Sequence, residues 1–350
     1  MPLHRDVSVL WALRSPCNLG CTYCYFGTLE DHRVALPTQP GQLSHLPHND
    51  LNLADITRFL STAADSGISR VFVAGGEPLI WPAIGAVLQT LHQAGIAVTV
   101  CTNGMPLNRP NIREMLRDTG VDAVSVSLDS VDPTANDAYR PSRNHKDGWH
   151  SVVSGIRALT GDRDAARIMV RIGVYTVISR HTLATLPATA AFAAELGADY
   201  FVPQPISLAL DHELHSQLSL RQSDIPVLAA ALDTIYDAGH PLALPEQRYP
   251  GQIVSTVRQH LQTVHGCFGG HRLAFIEPDG SVWDCPSQYR IANTAARGTQ
   301  RSIRDTTAAQ LFPAEPADGG CDCPFYSRDC VSMWPLTDFD RLIASTGGDR

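Results

Sequence analysis

Apolar residues recur along this chain in short blocks, and their spacing separates strands from helices. The run Val7 to Leu13 reads as a first β-strand. Leu51 to Ser66 carries the three-and-four spacing of a helix with one apolar face, and Arg70 to Ala74 is a short buried strand ending in Gly75-Gly76-Glu77-Pro78. A helix over Ala83 to Ala94 stops at Gly95, and the strand Ile96 to Cys101 runs into the turn Thr102-Asn103-Gly104. Asn111 to Asp118 reads as a helix closing near Gly120, and Ala123 to Leu128 as a strand leading into Asp129-Ser130. Trp149 to Thr160 is helical, Ile168 to Ile178 a long strand, Leu183 to Leu196 a helix and Asp199 to Val202 a strand. Six strands alternating with helices predict a parallel sheet of the α/β class. In a barrel built this way the chemistry sits at the C-terminal ends of the strands.

The fifth strand alternates with period two. Ile168, Val170, Ile172, Val174, Thr176 and Ile178 form an apolar face suited to pack beneath helices, which points Met169, Arg171, Gly173, Tyr175 and Val177 into the barrel. A buried arginine is costly unless it meets an anion, either a barrel acid or a carboxylate of a bound molecule. Arg171 and Tyr175 are therefore candidate catalytic residues, with Gln204, just past the last strand, a third at the rim. Residues 207–264 read as a connecting region with a helix from Ser223 to Ala238 and a Pro-rich stretch. Beyond it, Leu273 to Trp283 is a hairpin turning at Pro278-Asp279-Gly280.

Composition narrows the class. At 350 residues the chain is two average domains or one α/β barrel with an extension. No apolar run approaches the ~20 residues of a membrane span, and Met1 to Asp6 lacks the features of a signal peptide. A cytoplasmic location is expected, and nine cysteines there point to metal ligands rather than disulfides. A net charge of −8 offers no basic patch for nucleic acid. Lys146 is the one lysine among 27 basic residues, which reflects compositional bias rather than mechanism. Residues 27–50, with Pro37, Pro40, Pro47, His32, His45 and His48, form either a solvated insertion or a lid.

The chemistry starts in the loop after the first strand, Cys17-Asn18-Leu19-Gly20-Cys21-Thr22-Tyr23-Cys24. Three thiols at C-x3-C-x2-C spacing hold three corners of a metal site. A structural zinc wants a fourth ligand nearby, and the next thiol, Cys101, is remote in sequence and reads as a small buried residue at a strand end. An iron–sulfur cluster tolerates the shortfall, because its fourth iron is free to take a small molecule.

These residues resemble the radical SAM signature C-x3-C-x-aromatic-C, with Tyr23 in the aromatic slot. The resemblance implies a partial (β/α)6 TIM-like barrel over residues 1–206. It further implies a [4Fe-4S] cluster on Cys17, Cys21 and Cys24, and S-adenosyl-L-methionine (SAM) chelating the open iron. Reductive cleavage of SAM then yields a 5′-deoxyadenosyl radical, with the electron coming from a donor such as flavodoxin or ferredoxin. Gly75-Gly76-Glu77-Pro78 resembles the family's GGEP motif, which receives the SAM amino group. The segment from Ser125 through Ser127 to Asp129 and Ser130 resembles the SxDG segment, with Ser130 replacing its glycine. Asn103 joins these as a cofactor-binding candidate, and Arg140, with Arg143 as competitor, stands where relatives place a partner for the SAM carboxylate.

Cys267, Cys285, Cys321, Cys323 and Cys330, around the hairpin, resemble the SPASM/twitch extension and imply an auxiliary [4Fe-4S] cluster in residues 265–350. Five thiols leave one over, and Cys321 is the expected spare. A zinc ribbon, which wants paired C-x2-C knuckles, fits this spacing poorly.

The expected function is hydrogen abstraction from a small-molecule natural-product intermediate, such as a sugar, nucleoside or aminocyclitol. Decarboxylation, deamination or dehydrogenation would follow. The most specific form resembles cytosylglucuronate decarboxylase, with Arg171 holding a uronate carboxylate. The alternatives are a radical SAM maturase of a ribosomally made peptide and a non-catalytic zinc module. The maturase is disfavoured because a motif starting at Cys17 leaves no room for an N-terminal peptide-recognition domain.

Overall fold

Six strands, β1 (Val7–Arg14), β2 (Ile68–Gly75), β3 (Ala97–Thr102), β4 (Ala123–Ser127), β5 (Arg171–Ile178) and β6 (Tyr200–Pro205), each lie parallel to the next in the computed structural model. The structure describes residues 6–24, 50–143, 147–208, 210–258, 263–284, 301–314, 322–323 and 327–344. Beyond β1 the sheet continues with β7 (Leu273–Ile276), which pairs parallel to β1. β8 (Ser281–Trp283) and β9 (Arg301–Ser302) follow antiparallel, giving the order β6-β5-β4-β3-β2-β1-β7-β8-β9. The expected hairpin is present, and it extends the barrel's own sheet.

Alternation along the strands builds two cores. Val9, Trp11, Val71, Val98, Val124, Ile172 and their neighbours face the surrounding helices in one large buried cluster. Leu10, Ala12, Phe72, Ala74, Ala123, Tyr200 and Val202 face inward and pack with Phe275, Met333, Leu336 and Phe339 in a second. The inward faces hold the polar groups as well, among them Cys101, Ser125, Ser127 and Tyr175.

The glycine of β5 explains one close approach. A Cβ built on Gly173 would stand 1.9 Å from the Tyr200 ring, so only glycine lets that ring cross the strand and bring its hydroxyl 2.8 Å from Ser125 Oγ. Gly173→Ala is expected to destabilise the fold by about 1–3 kcal/mol through overpacking, measured as a lower denaturation midpoint at unchanged slope.

Several boundaries differ from the sequence pattern. The first helix covers Leu53–Leu60 and gives way to a 3-10 turn at Ala63–Asp65. β5 begins at Arg171 rather than Ile168, leaving Met169 86% exposed, because the backbone ahead of Arg171 makes no strand pairing in the sheet. Helices at Tyr249–Val257 and Arg328–Thr337 were not legible as such. The first carries its proline in the opening turn, where a missing N–H costs nothing, and the second contains Pro335.

Candidate active site

The cysteine loop leaves the C-terminal end of β1 and is pinned on two sides. Gly20 N donates to Pro141 O at 2.8 Å and Thr22 N to Tyr139 O at 2.9 Å. On the other side Gly76 N donates to Arg14 O at 2.7 Å and Glu77 N to Pro16 O at 2.9 Å. That second seam requires glycine, since a Cβ on Gly76 would stand 2.2 Å from Pro16 O and Gly75 adopts φ +124°. The glycine turn and the cysteine loop are thus locked edge to edge.

Glu77 is the brace behind them. Its fully buried carboxylate accepts from Leu79 N at 3.0 Å, Thr102 Oγ1 at 2.8 Å and Asn103 N at 2.7 Å, tying the turn after β2 to the turn after β3. Burial pushes this carboxyl up to about 7 against the pull of its three donors. Neither Glu77 nor Pro78, both expected to help bind the cofactor, lines the cavity. Both sit behind the cavity wall, because the Glu77 side chain turns away to satisfy backbone and hydroxyl donors. Glu77→Gln leaves the Asn103 N–H facing an NH2 group and is expected to cost about 1–3 kcal/mol of stability, read from chemical denaturation.

Inside the wall lies a cavity of about 270 Å³, with Cys17, Cys21 and Cys24 on one side. Around it stand the predicted cofactor-binding residues Tyr23, Gly75, Gly76, Asn103, Ser127, Asp129 and Arg140, together with Tyr175 and Gln204. Leu19 N donates to Cys17 Sγ at 3.4 Å, and Asn103 Nδ2 approaches the same sulfur at 3.7 Å. Burial pushes the Cys17 thiol well up and Cys21 to about 11, each raised further by the neighbouring thiols, with Arg140 pulling Cys21 down. Bare thiols packed this way are reluctant to ionise. N–H donors and a guanidinium beside the sulfurs suit thiolates that bind a cationic iron–sulfur core.

Among the described residues no three His, Cys, Asp or Glu side chains converge as around a single metal ion. A lone zinc holds its sulfurs at about 2.3 Å, whereas the corners of a cluster stand farther apart. Cys17, Cys21 and Cys24 share one cavity wall with N–H donors at Cys17, a donor set that fits the larger group.

Asp129 sits at the hub of a buried network. Its Oδ2 accepts from Tyr23 Oη at 2.5 Å and from Arg140 Nη1 at 3.1 Å, and its Oδ1 accepts from Val177 N at 2.8 Å. Arg140, itself buried, bonds the Cys21 thiol as well. Arg143 lies outside the cavity, donating from Nε to Leu19 O at 2.9 Å and so holding the cysteine loop's backbone.

Arg171 requires the larger correction. It shares a face with Tyr175, as the alternation predicts, but it opens β5 at the N-terminal end of the sheet. Four residues of strand, about 13 Å at 3.3 Å per residue, separate it from the Tyr175 level, and it does not line the cavity. There it faces Asp199 Oδ1 at 3.6 Å, with its side chain 35% exposed. Asp199 also accepts from Arg163 Nη1 at 2.7 Å and Ile172 N at 2.8 Å. Arg171→Met is expected to leave SAM cleavage unchanged and to cost under ~1 kcal/mol, the scale of a half-exposed pair; cleavage rate and denaturation midpoint check both.

The far wall of the cavity was missed. Asp329, Ser332, Met333 and Leu336 line it from the Arg328–Thr337 helix, and Gln204 Nε2 donates to Ser332 O at 2.9 Å. Their i, i+3, i+4, i+7 spacing puts them on one face of the helix, but two of the four are polar, so the apolar pattern did not announce it. Between them Cys330 lies on the same helix, and its thiol is pushed up by burial and raised further by Cys323. Cys323 in turn packs with Cys267, and the backbones of Cys323 and Val264 pair at 2.7 and 2.9 Å. Cys267 and Cys323 thus share one small buried cluster, with Cys330 within electrostatic reach of Cys323, while Cys285 and Cys321 lie outside the described residues, as do His32, His45 and His48. A larger cleft of about 950 Å³, lined by Glu246, Arg248 and Trp334, has no cysteine and no residue of the Gly75-Gly76 turn among its described lining residues.

Residues 16–190 match the model of the Radical SAM superfamily. The AdoMet-dependent heme synthase of Methanosarcina barkeri is 25% identical over 358 residues, covering 97% of this chain and 93% of that protein. Pre-heme d1 synthase of Dinoroseobacter shibae is 24% identical over 326 residues, covering 87% and 72%. The structure of native anSMEcpe with bound AdoMet superposes with a TM-score of 0.62 at 15% identity, over 97% of this chain and 99% of that one, a likeness of fold.

Proposed function

Because this chain belongs to the radical SAM superfamily, we propose that it generates a 5′-deoxyadenosyl radical in the 270 Å³ cavity and abstracts hydrogen there from a small-molecule natural-product intermediate. The [4Fe-4S] cluster and SAM supply the reductive cleavage. This chain's residues do the rest. Cys17, Cys21 and Cys24 hold the cluster, and the Gly75-Gly76 turn lets the main chain approach the SAM amino group without a side chain in the way. Asn103 and Ser127 offer polar side chains to SAM along the same wall. Arg140, braced by Asp129, places positive charge beside Cys21 and the cavity. Gln204, Tyr175 and the Asp329 to Leu336 face enclose the remaining space for substrate.

The observation that carries this reading is the convergence of the three motif cysteines, the glycine turn and the strand-end polar residues on one cavity. The Arg328–Thr337 helix closes its far side, which favours a compact substrate over a macrocycle or a peptide. A uronate held by Arg171 is set aside, because that residue stands at the other end of the barrel. Decarboxylation, deamination and dehydrogenation all remain compatible with the site's chemistry. Cys267, Cys323 and Cys330 are the thiols that would hold an auxiliary cluster, which would supply one-electron chemistry. A flavodoxin or ferredoxin is the proposed source of the cleavage electron.

The test measures 5′-deoxyadenosine release, anaerobically, above the uncoupled rate. Stimulation by nucleosides, sugar acids or aminocyclitols supports the reading. Stimulation only by a peptide or by a tetrapyrrole overturns the small-substrate assignment.

A further inference from the structure

One described cysteine belongs to neither thiol group. Cys101 sits on β3 with its side chain on the inward face, opposite Ser125 of β4, and it lines the same cavity as Cys17, Cys21 and Cys24. At this level Cys101, Ser125, Gly173 and Tyr200 lie opposite one another on four consecutive strands, β3 to β6, and Cys101 and Ser125 of this row line the cavity. Ser125 Oγ stands 2.8 Å from Tyr200 Oη, and Cys101 lies directly opposite the same serine across the β3–β4 pairing. One residue pair higher, Tyr175 lines the cavity with a buried hydroxyl that has no hydrogen-bond partner among the described residues. A buried hydroxyl left unsatisfied costs about 1–3 kcal/mol, and its position in the cavity points to a bound molecule as the missing partner. The cavity floor is thus a thiol and a phenol facing the space where substrate is held.

We propose that Cys101 is a catalytic hydrogen-atom donor, delivering hydrogen to the carbon radical that the enzyme leaves on its substrate, while Tyr175 orients that substrate through its hydroxyl. The proposal rests on the radical reading of the cavity. A thiol gives up a hydrogen atom to a carbon radical readily, because the carbon–hydrogen bond formed is as strong as or stronger than the sulfur–hydrogen bond broken. The step balances without further reagents: the S–H bond of Cys101 breaks, a C–H bond forms, and the unpaired electron moves to sulfur. One electron from the protein one-electron donor and one solvent proton then restore the thiol. Burial pushes the Cys101 thiol up to about 12, so it keeps its hydrogen across the physiological range. Glu77, close behind, acts in the same direction. Of the reactions compatible with the site, this step selects one that ends by adding hydrogen to a carbon radical, as a decarboxylation does, over dehydrogenation.

The test uses SAM as the probe, with the holoenzyme, dithionite and deuterated water, and no substrate. A 5′-deoxyadenosyl radical formed in the empty cavity takes its hydrogen from the floor, and an exchangeable Cys101 thiol carries deuterium. Wild type is expected to release 5′-deoxyadenosine bearing one solvent deuterium. Cys101→Ala and Cys101→Ser are expected to cleave SAM still and to lose that label, because the serine O–H bond is too strong to donate. Equal labelling in all three proteins, or none in wild type, overturns the assignment of Cys101. Failure of wild type to cleave SAM at all strikes the radical reading itself, and is distinguished by the absence of any 5′-deoxyadenosine.

Discussion

Replacing Cys17, Cys21 and Cys24 together by alanine is expected to abolish 5′-deoxyadenosine formation and to lower iron from about eight to about four atoms per chain after anaerobic reconstitution. The three thiols share one cavity wall, with Leu19 N and Asn103 Nδ2 approaching Cys17 and Arg140 bonded to Cys21. No other cysteine lining that cavity lies close to them in the loop, and Cys101 occupies the floor. The fold should persist, since β1 and the Gly76 and Glu77 contacts to Arg14 and Pro16 do not involve sulfur. Circular dichroism resembling wild type, with no SAM cleavage, is the expected pairing. Full cleavage by the triple variant would remove these residues from the chemistry.

The second large effect concerns the C-terminal thiols. Cys267→Ala, Cys323→Ala and Cys330→Ala are each expected to remove about four iron atoms while uncoupled SAM cleavage survives. Cys267 and Cys323 are buried against one another and Trp334, and Cys330 lies within electrostatic reach of Cys323. The helix bearing Cys330 also lines the active cavity through Asp329, Ser332 and Met333. Loss of this site should therefore impair substrate-stimulated turnover more than the uncoupled reaction. Cys285→Ala should behave as these three do, and Cys321→Ala should keep near wild-type iron. Equal loss at all five positions would make Cys321 a ligand. Unchanged iron in all five variants would remove the auxiliary cluster.

The barrel strands were legible because each presents an apolar face to the helices and a mixed face to the interior, a pattern local to five or six residues. The site motifs were legible for a related reason. Cys17 to Cys24, Gly75-Gly76, Asn103 and Asp129 all follow strand ends, and parallel pairing gathers such ends at one rim. Depth along a strand was not legible. Alternation assigned Arg171 and Tyr175 to one face but carried no information on height, so it left open a barrel acid or a bound carboxylate as the partner of Arg171, and the structure supplies the acid, Asp199, at the base. The direction of the Glu77 side chain was hidden as well, because its partners Thr102 and Asn103 belong to the next strand's turn. The pairing of β7 with β1 joins opposite ends of the chain, and no local spacing encodes it.

The central claim is that this cavity performs reductive SAM cleavage on an iron–sulfur cluster. Its most direct test is to incubate the anaerobically reconstituted full chain with SAM and dithionite, and to measure 5′-deoxyadenosine together with bound metal. Iron-rich protein that releases 5′-deoxyadenosine and methionine is the predicted result. Zinc as the principal metal, with SAM recovered intact, would contradict it.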